Sequence, residues 1–201
     1  MIAETEYYTG GEETILSIFI PKEPVVRETG KNHINDLIAG CSSSKECLSE
    51  LYVMFKKSVF ALAYSITSDY HLAEDCVAET FIRLAQLKKF DPAKGDGRGI
   101  ILTIARNVAM ELRRSHQNVQ QDEVIRSYGE ADEIVENSMF VDHLLGFLND
   151  KQRQVVVLHC CSGLTFKEIA KIMKRPESTV KSRYKKAMAI LQEKAGVGNE
   201  K

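Results

Sequence analysis

The chain has 201 residues, 44% of them hydrophobic and 27% charged, with a formal net charge of -1. That length supports one or two compact domains, and the balance is that of a globular chain with enough apolar surface to bury a core. No run approaches the roughly 18 apolar residues of a membrane span, which excludes membrane insertion, and Met1-Ile-Ala-Glu-Thr-Glu6 lacks the basic and apolar regions of a secretory leader.

The cytoplasm is therefore the expected location. Five cysteines, Cys41, Cys47, Cys76, Cys160 and Cys161, form an odd set without zinc-ligand spacing and read as reduced thiols. No cofactor is expected.

The near-neutral total conceals a partition. Residues 1–50 carry nine acids against four bases, and residues 51–114 carry seven against ten. Residues 115–150 carry eight acids against Arg126 alone, whereas residues 151–194 carry eleven bases against Glu168, Glu177 and Glu193. Two basic blocks flank an acidic one.

Taken in chain order, residues 1–30 read as a poorly ordered extension, with Thr14–Ile20 as a short strand isolated by Gly10-Gly11, Pro21 and Pro24. Helical periodicity starts at Ile34–Cys41 and continues over Leu48–Thr67, where Leu51, Phe55, Val59, Leu62, Ala63 and Ile66 recur at three and four. Ser68-Asp69 offers an N-cap to a third helix, with Leu72, Cys76, Val77, Phe81, Leu84 and Ala85 on one face, running out near Phe90-Asp91-Pro92. Gly95, Gly97 and Gly99 read as a loop before a helix over Ile100–Arg114, with Ile101, Ile104, Ala105, Val108 and Leu112 inward.

Residues 115–138 lose the periodicity and read as an acidic flexible linker. A second domain is expected over residues 139–195, with residues 196–201 as a tail. Phe140, Leu144, Leu145, Phe147 and Leu148 form one apolar face, and Val155, Val156, Leu158 and Cys161 another, ended by a tight turn at Ser162-Gly163. The predicted class is all-α, with two helical domains, residues 31–114 and 139–195, joined by that linker.

The segment Leu164–Leu191 carries the most chemical information. Phe166, Ile169, Ala170 and Met173 give a short helix an apolar stripe, Lys174-Arg175 make a turn, and Pro176 suits the first turn of the next helix. Val180, Tyr184, Ala187, Met188 and Leu191 then form the inward stripe of that second helix. Ser178, Thr179, Lys181, Ser182, Lys185 and Lys186 point away from the stripe and Arg183 flanks it. Short hydroxyls near a helix start approach base edges, and long cations beside them neutralise phosphates, as a recognition helix in a major groove requires.

With these strings assembled, residues 34–194 resemble the extracytoplasmic-function (ECF) group of bacterial sigma factors. Residues Leu51-Tyr52, Ala61–Thr67, Ala73-Glu74-Asp75, Glu79, Phe81, Phe90-Asp91-Pro92, Gly95, Arg98 and Leu102–Asn107 are similar to sigma region 2. Gln152-Arg153, Gly163-Leu164-Thr165, Glu168-Ile169-Ala170 and Thr179–Arg183 are similar to region 4. The resemblance implies a sigma factor that binds core RNA polymerase and directs it to promoter DNA. Glu74, Asp75, Glu79 and Arg83 would dock on the core enzyme. Arg98, Arg106, Asn107, Arg113 and Arg114 would engage the -10 element, the 177–191 helix would read the -35 element, and the acidic linker would thread near the polymerase active site. An anti-sigma factor is a further partner that the group often has.

The chain departs from the family pattern at Gly97 and Ile100, where an aromatic and a tryptophan are usual, and at Ala78, where glutamine is common; it contains no tryptophan. Those departures leave open a helix-turn-helix regulator that binds DNA through residues 165–191 without directing initiation. No nucleophile–base pair or metal-ligand set is visible, so no enzymatic activity is expected.

Overall fold

The computed structural model describes residues 31–87, 90, 96–119 and 143–196. The expected N-terminal extension and its strand, most of the linker, Phe140 and the last five residues lie outside that set. Among the described residues the architecture is entirely helical, and none of the helices is long and apolar enough to cross a membrane.

Helix α1 (Lys31–Gly40) buries Ile34, Leu37 and Ile38 against the following elements. Helix α2 (Lys45–Thr67) starts where Ser44 accepts the Cys47 N–H at 3.3 Å. Its spaced stripe from Leu51 to Ile66 is buried as the periodicity predicts. Ser68 ends it in the left-handed region, at φ 55°, with its N–H on the Tyr64 carbonyl. Asp69 at once caps α3 (Tyr70–Ala85), its Oδ1 accepting from the Leu72 N–H at 2.9 Å. A cap of this kind stabilises a helix by ~1 kcal/mol.

Helix α3 stops at Ala85 rather than near Phe90, because Gln86 closes its last turn onto Ile82 and Leu84 carbonyls. Helix α4 (Gly97–Val119) begins earlier and ends later than its apolar periodicity indicated. Gly97 and Gly99 are thus in its first turn, and Ser115–Val119, expected as linker, are helical. The early start is held by a tertiary contact: the Gly97 N–H donates to Asn35 Oδ1 at 2.8 Å. α2, α3 and α4 pack on one another, and α1 lies across α2 and α4.

Gly97 also explains one departure from the family pattern. A β-carbon there would stand 2.6 Å from Ile38 Cδ1 and 2.9 Å from both Asn35 Oδ1 and Ile34 Cγ2. α1 occupies the space that a larger side chain would need, so residue 97 is a packing position in this chain.

In the second half, Leu144, Leu145 and Leu148 are buried, but Phe147 is 43% exposed, its ring covered by Lys194 Nζ at 5.5 Å. Helix α5 (Asp150–Val156) opens on a capping box between Asn149 and Gln152 and runs into a π-helical turn, Val157–Cys161. The widened turn ends at Ser162, and Gly163 follows at φ 64°. Helix α6 (Phe166–Met173) has a second capping box, Thr165 with Glu168. Lys174 adopts φ 51°, and α7 (Glu177–Lys194) follows, with Pro176 at the cap rather than inside the first turn.

The two halves touch. α2 packs on α5 and its π-turn, and α4 packs on α6, so the buried apolar side chains form one cluster from Ile34 to Leu191.

Gly97→Ala tests the α1–α4 approach. Three atoms must retreat at once, and overpacking of this kind costs about 1–3 kcal/mol. Thermal unfolding should fall by several degrees, and an unchanged midpoint would show that α1 is free to move aside.

Candidate nucleic-acid interface

The helix-turn-helix is built by burying one stripe of α7. Val180, Tyr184, Ala187, Met188 and Leu191 are all buried, matching the sequence expectation residue for residue. On α6, Ile169, Ile172 and Met173 are buried while Phe166 and Ala170 are half-buried; Ile172 was not anticipated. His159 fixes the approach of these helices. The Leu164 carbonyl accepts from its Nδ1 at 2.7 Å, and its ring stacks on Phe166 at 4.5 Å and meets Tyr184 edge-on at 4.9 Å. Because a carbonyl only accepts, the proton is on Nδ1.

With that stripe inward, Ser178, Lys181, Ser182, Lys185 and Lys186 are exposed and Thr179 and Arg183 half-exposed. Glu177 Oε1 pairs with Lys181 Nζ at 2.8 Å, one turn along the exposed face. This places hydroxyls at the N-terminal end and cations beyond them on one open surface. Such an arrangement suits base edges and flanking phosphates.

The other candidate DNA residues are on α4, and the structure divides them. Asn107 and Arg114 are exposed. Arg106 and Arg113 are half-buried under α5: Arg106 Nε donates to Gln154 Oε1 at 3.0 Å, and Arg113 Nη1 donates to Asp150 Oδ2 at 2.6 Å and to the Ile66 carbonyl at 2.9 Å. Arg153 Nη1 crosses the same seam to Ser68 Oγ at 3.0 Å. Burial, followed by the charge of Arg175, lowers the Arg106 pKa from its ordinary value.

Arg98 lies in a second polar contact of the seam, 3.8 Å from Asp96 Oδ2. The Asp96 carboxyl meets the Glu168 carboxyl of α6. Burial raises Asp96 first, and the Glu168 bond adds to it, against the opposing charge of Arg98. Burial would also raise Glu168, but bonds from the Thr165 hydroxyl and N–H, from Asp96, and the charge of Arg98 outweigh it and lower the value. Arg98 Nε is buried with no acceptor among the described residues.

The candidate docking residues share α3. Glu74 and Asp75 are exposed. Arg83 bridges two carboxylates, Glu79 at 2.7 Å and Glu111 of α4 at 2.7 Å, which hold its guanidinium firmly charged. Ile82 on the same helix is exposed, as are Tyr52 and Val53 of α2, and Tyr52 meets Phe81 of α3 edge-on at 5.0 Å. Val53, Ile82 and Glu111 are not among the residues expected from the sequence, although Val53 and Ile82 stand out there as apolar residues off the inward stripe. Nor are Asp150, Gln154 and the Asp96–Glu168 pair, since contacts between distant segments leave no periodic signal.

No disulfide joins any of the five cysteines. Cys160 is buried, and burial pushes the Cys161 thiol up to about 11, so His159-Cys160-Cys161 forms part of the packing. The described residues contain no group of three metal-ligating side chains.

Comparison with known proteins finds two matching family descriptions on the chain. The family description "Sigma-70 region 2" matches residues 51–119, and "Sigma-70, region 4" matches residues 141–191. The chain belongs to the sigma-70 family. It is similar to the ECF RNA polymerase sigma factor SigK of Mycobacterium tuberculosis, 28% identical over 157 residues that span 72% of this chain and 83% of that protein. It is also similar to SigM of Bacillus subtilis, an ECF RNA polymerase sigma factor, at 27% over 143 residues, covering 67% and 86% of the two chains. Among solved structures, CnrH in complex with the cytosolic domain of CnrY superposes with a TM-score of 0.62 at 20% identity, over 83% of this chain and 99% of that one, and shares the fold. The sigma factor RpoE, in complex with the anti-sigma factor NepR from Bartonella quintana, gives 0.60 at 26% identity, over 78% and 100%. Within the family, the chain is a member of the ECF group.

The Asp96–Glu168 pair has a signed consequence. A carboxyl whose pKa is raised on folding weakens the fold as pH rises from its ordinary value through the raised one. Asp96→Asn keeps the hydrogen bonds without the ionisation. The variant should gain thermal stability relative to the parent at pH 7.5, on the order of 1–3 °C, and less at pH 5. A parent and variant that differ equally at both values would mean that Asp96 is already ionised in the folded chain.

Proposed function

We propose that the exposed face of α7, Ser178, Thr179, Lys181, Ser182, Arg183, Lys185 and Lys186, reads the -35 element of a promoter for this ECF sigma factor. The observation that carries this is the sorting of α7 into one buried apolar stripe and one open face of hydroxyls and cations. Arg98, Arg106, Asn107, Arg113 and Arg114 on α4 engage the -10 element. Asn107 supplies an amide for a base edge, and the arginines supply phosphate contacts.

Glu74, Asp75, Glu79 and Arg83 dock on core RNA polymerase. Ile82 on the same helix and Tyr52, which packs on Phe81 of that helix, add exposed apolar area to that surface, as a protein interface requires. The acidic segment between the halves follows a basic channel of the polymerase. An anti-sigma factor is a partner supported by the superposed complexes. The chain works in the cytoplasm and supplies no covalent chemistry of its own. A helix-turn-helix regulator acting without the polymerase is disfavoured by the presence of both sigma regions.

Promoter affinity of the holoenzyme should fall steeply with salt. Replacing Lys181, Lys185 or Lys186 by alanine should flatten the slope of log K against log[salt] by about one where that cation meets a phosphate. Fluorescence anisotropy across a salt series checks this, and an unchanged slope for all three variants would remove α7's basic face from the interface.

A further inference from the structure

Helices α1 and α2 meet in a short polar turn with a thiol on each side of it, Cys41 and Cys47. The turn is held on one acceptor: the Gly40 carbonyl accepts from the Ser43 N–H at 3.0 Å, the Ser44 N–H at 2.9 Å and the Ser43 hydroxyl at 3.1 Å. The first turn of α2 is thereby folded back over the end of α1. Cys47 Sγ lies 3.0 Å, and its Cβ 3.8 Å, from the point where a β-carbon on Gly40 would stand. Residue 41 follows directly, and neighbouring Cα atoms are ~3.8 Å apart, so the Cys47 sulfur stands about one residue's length from the Cys41 backbone, the scale on which a disulfide bridges.

The two thiols differ in access. Cys41 is buried and donates to the Leu84 carbonyl at 3.3 Å. Burial pushes its pKa up, a backbone hydrogen bond opposes this, and charge on Cys47 adds to the rise. Cys47 is half-buried, so a dissolved oxidant reaches it. Elsewhere Cys76 and Cys160 are buried, and burial pushes the Cys76 and Cys161 thiols up to about 11, which keeps them protonated and unreactive.

We propose that Cys41 and Cys47 form an oxidation site, which a hydroperoxide converts to a disulfide across the α1–α2 turn. The Cys47 sulfur attacks a peroxide oxygen, the O–O bond breaks, and the alcohol or water leaves with the Cys47 proton, which makes Cys47 a sulfenic acid. The Cys41 sulfur then attacks the Cys47 sulfur, the S–O bond breaks, and the hydroxyl leaves as water with the Cys41 proton. Two thiols lose one electron each, and the hydroperoxide gains both. Bridging turns the Cys41 sulfur away from Leu84 and so removes a hold of α1 on α3. Because α1 also seats Gly97 through Asn35 and Ile38, the change reaches the start of α4.

The test uses the full, reduced, nitrogen-15-labelled chain, treated with hydrogen peroxide that is then removed with catalase. Trypsin cuts after Lys31, Lys45 and Lys56, which puts the two cysteines on separate peptides, 32–45 and 46–56. The bridge should appear as a linked pair of these peptides, several-fold more abundant than any other linked pair and separated by dithiothreitol. It should be lost in Cys47→Ser, and in Cys41→Ser the oxidation should stop on Cys47 as sulfenic or sulfinic acid. The Gly97 amide resonance should move on oxidation of the parent and stay in place in Cys47→Ser. Circular dichroism checks folding, and Cys47→Ala replaces Cys47→Ser if the latter unfolds.

Cys47 driven to sulfinic acid in the parent while Cys41 stays a thiol would show that the pair does not close. Linkage mainly through Cys76, Cys160 or Cys161 or between chains, or an unmodified Cys47 in a tube where glutathione is oxidised, would equally overturn the site. A linked pair with an unmoved Gly97 amide would overturn the connection to α4.

Discussion

The guanidinium of Arg113 joins three elements: the carbonyl that ends α2, the helix α4 that carries it, and Asp150 in the first turn of α5. The charge pair is half in water, with side-chain exposures of 35% and 49%, so it contributes only ~0.2–1 kcal/mol by itself. The larger stabilisation comes from the apolar contact of α2 with α5 and its π-turn. What the arginine adds is register. A guanidinium fixed on a backbone carbonyl donates to Asp150 from one direction, which orients α5 against α4.

That register determines which parts of the surface are available. The hydroxyl and cation face of α7 and Glu74, Asp75 and Ile82 of α3 are open together, while part of the α4 face is covered. Of the two surfaces proposed to read promoter DNA, one is therefore open and the other partly covered.

The helix-turn-helix was legible because local chemistry dictates it. A buried stripe at helical spacing, Thr165 and Glu168 in a capping box, and a polar turn all agree, and the buried residues of α7 are those the pattern names. The start of α4 was misread for the opposite reason. Gly97 and Gly99 look like loop residues until Asn35, 62 positions away, supplies the missing acceptor and α1 demands a residue without a β-carbon. Phe147 was placed in the core by its period, yet Lys194 covers its ring at the surface. The positions of Arg106 and Arg113 were legible as cationic, but their engagement by α5 depends on two segments meeting in space.

The central claim is that this chain opens promoters together with core polymerase although it lacks the aromatic and tryptophan at residues 97 and 100. The most direct measurement is permanganate footprinting of unpaired thymines on the promoter upstream of its own gene, with purified chain and core enzyme added singly and together. Reactive thymines around the -10 element that appear only with both components, and that are lost with Asn107→Ala while core binding persists, are the predicted result. Core binding with no opening at a promoter that the holoenzyme protects would contradict it.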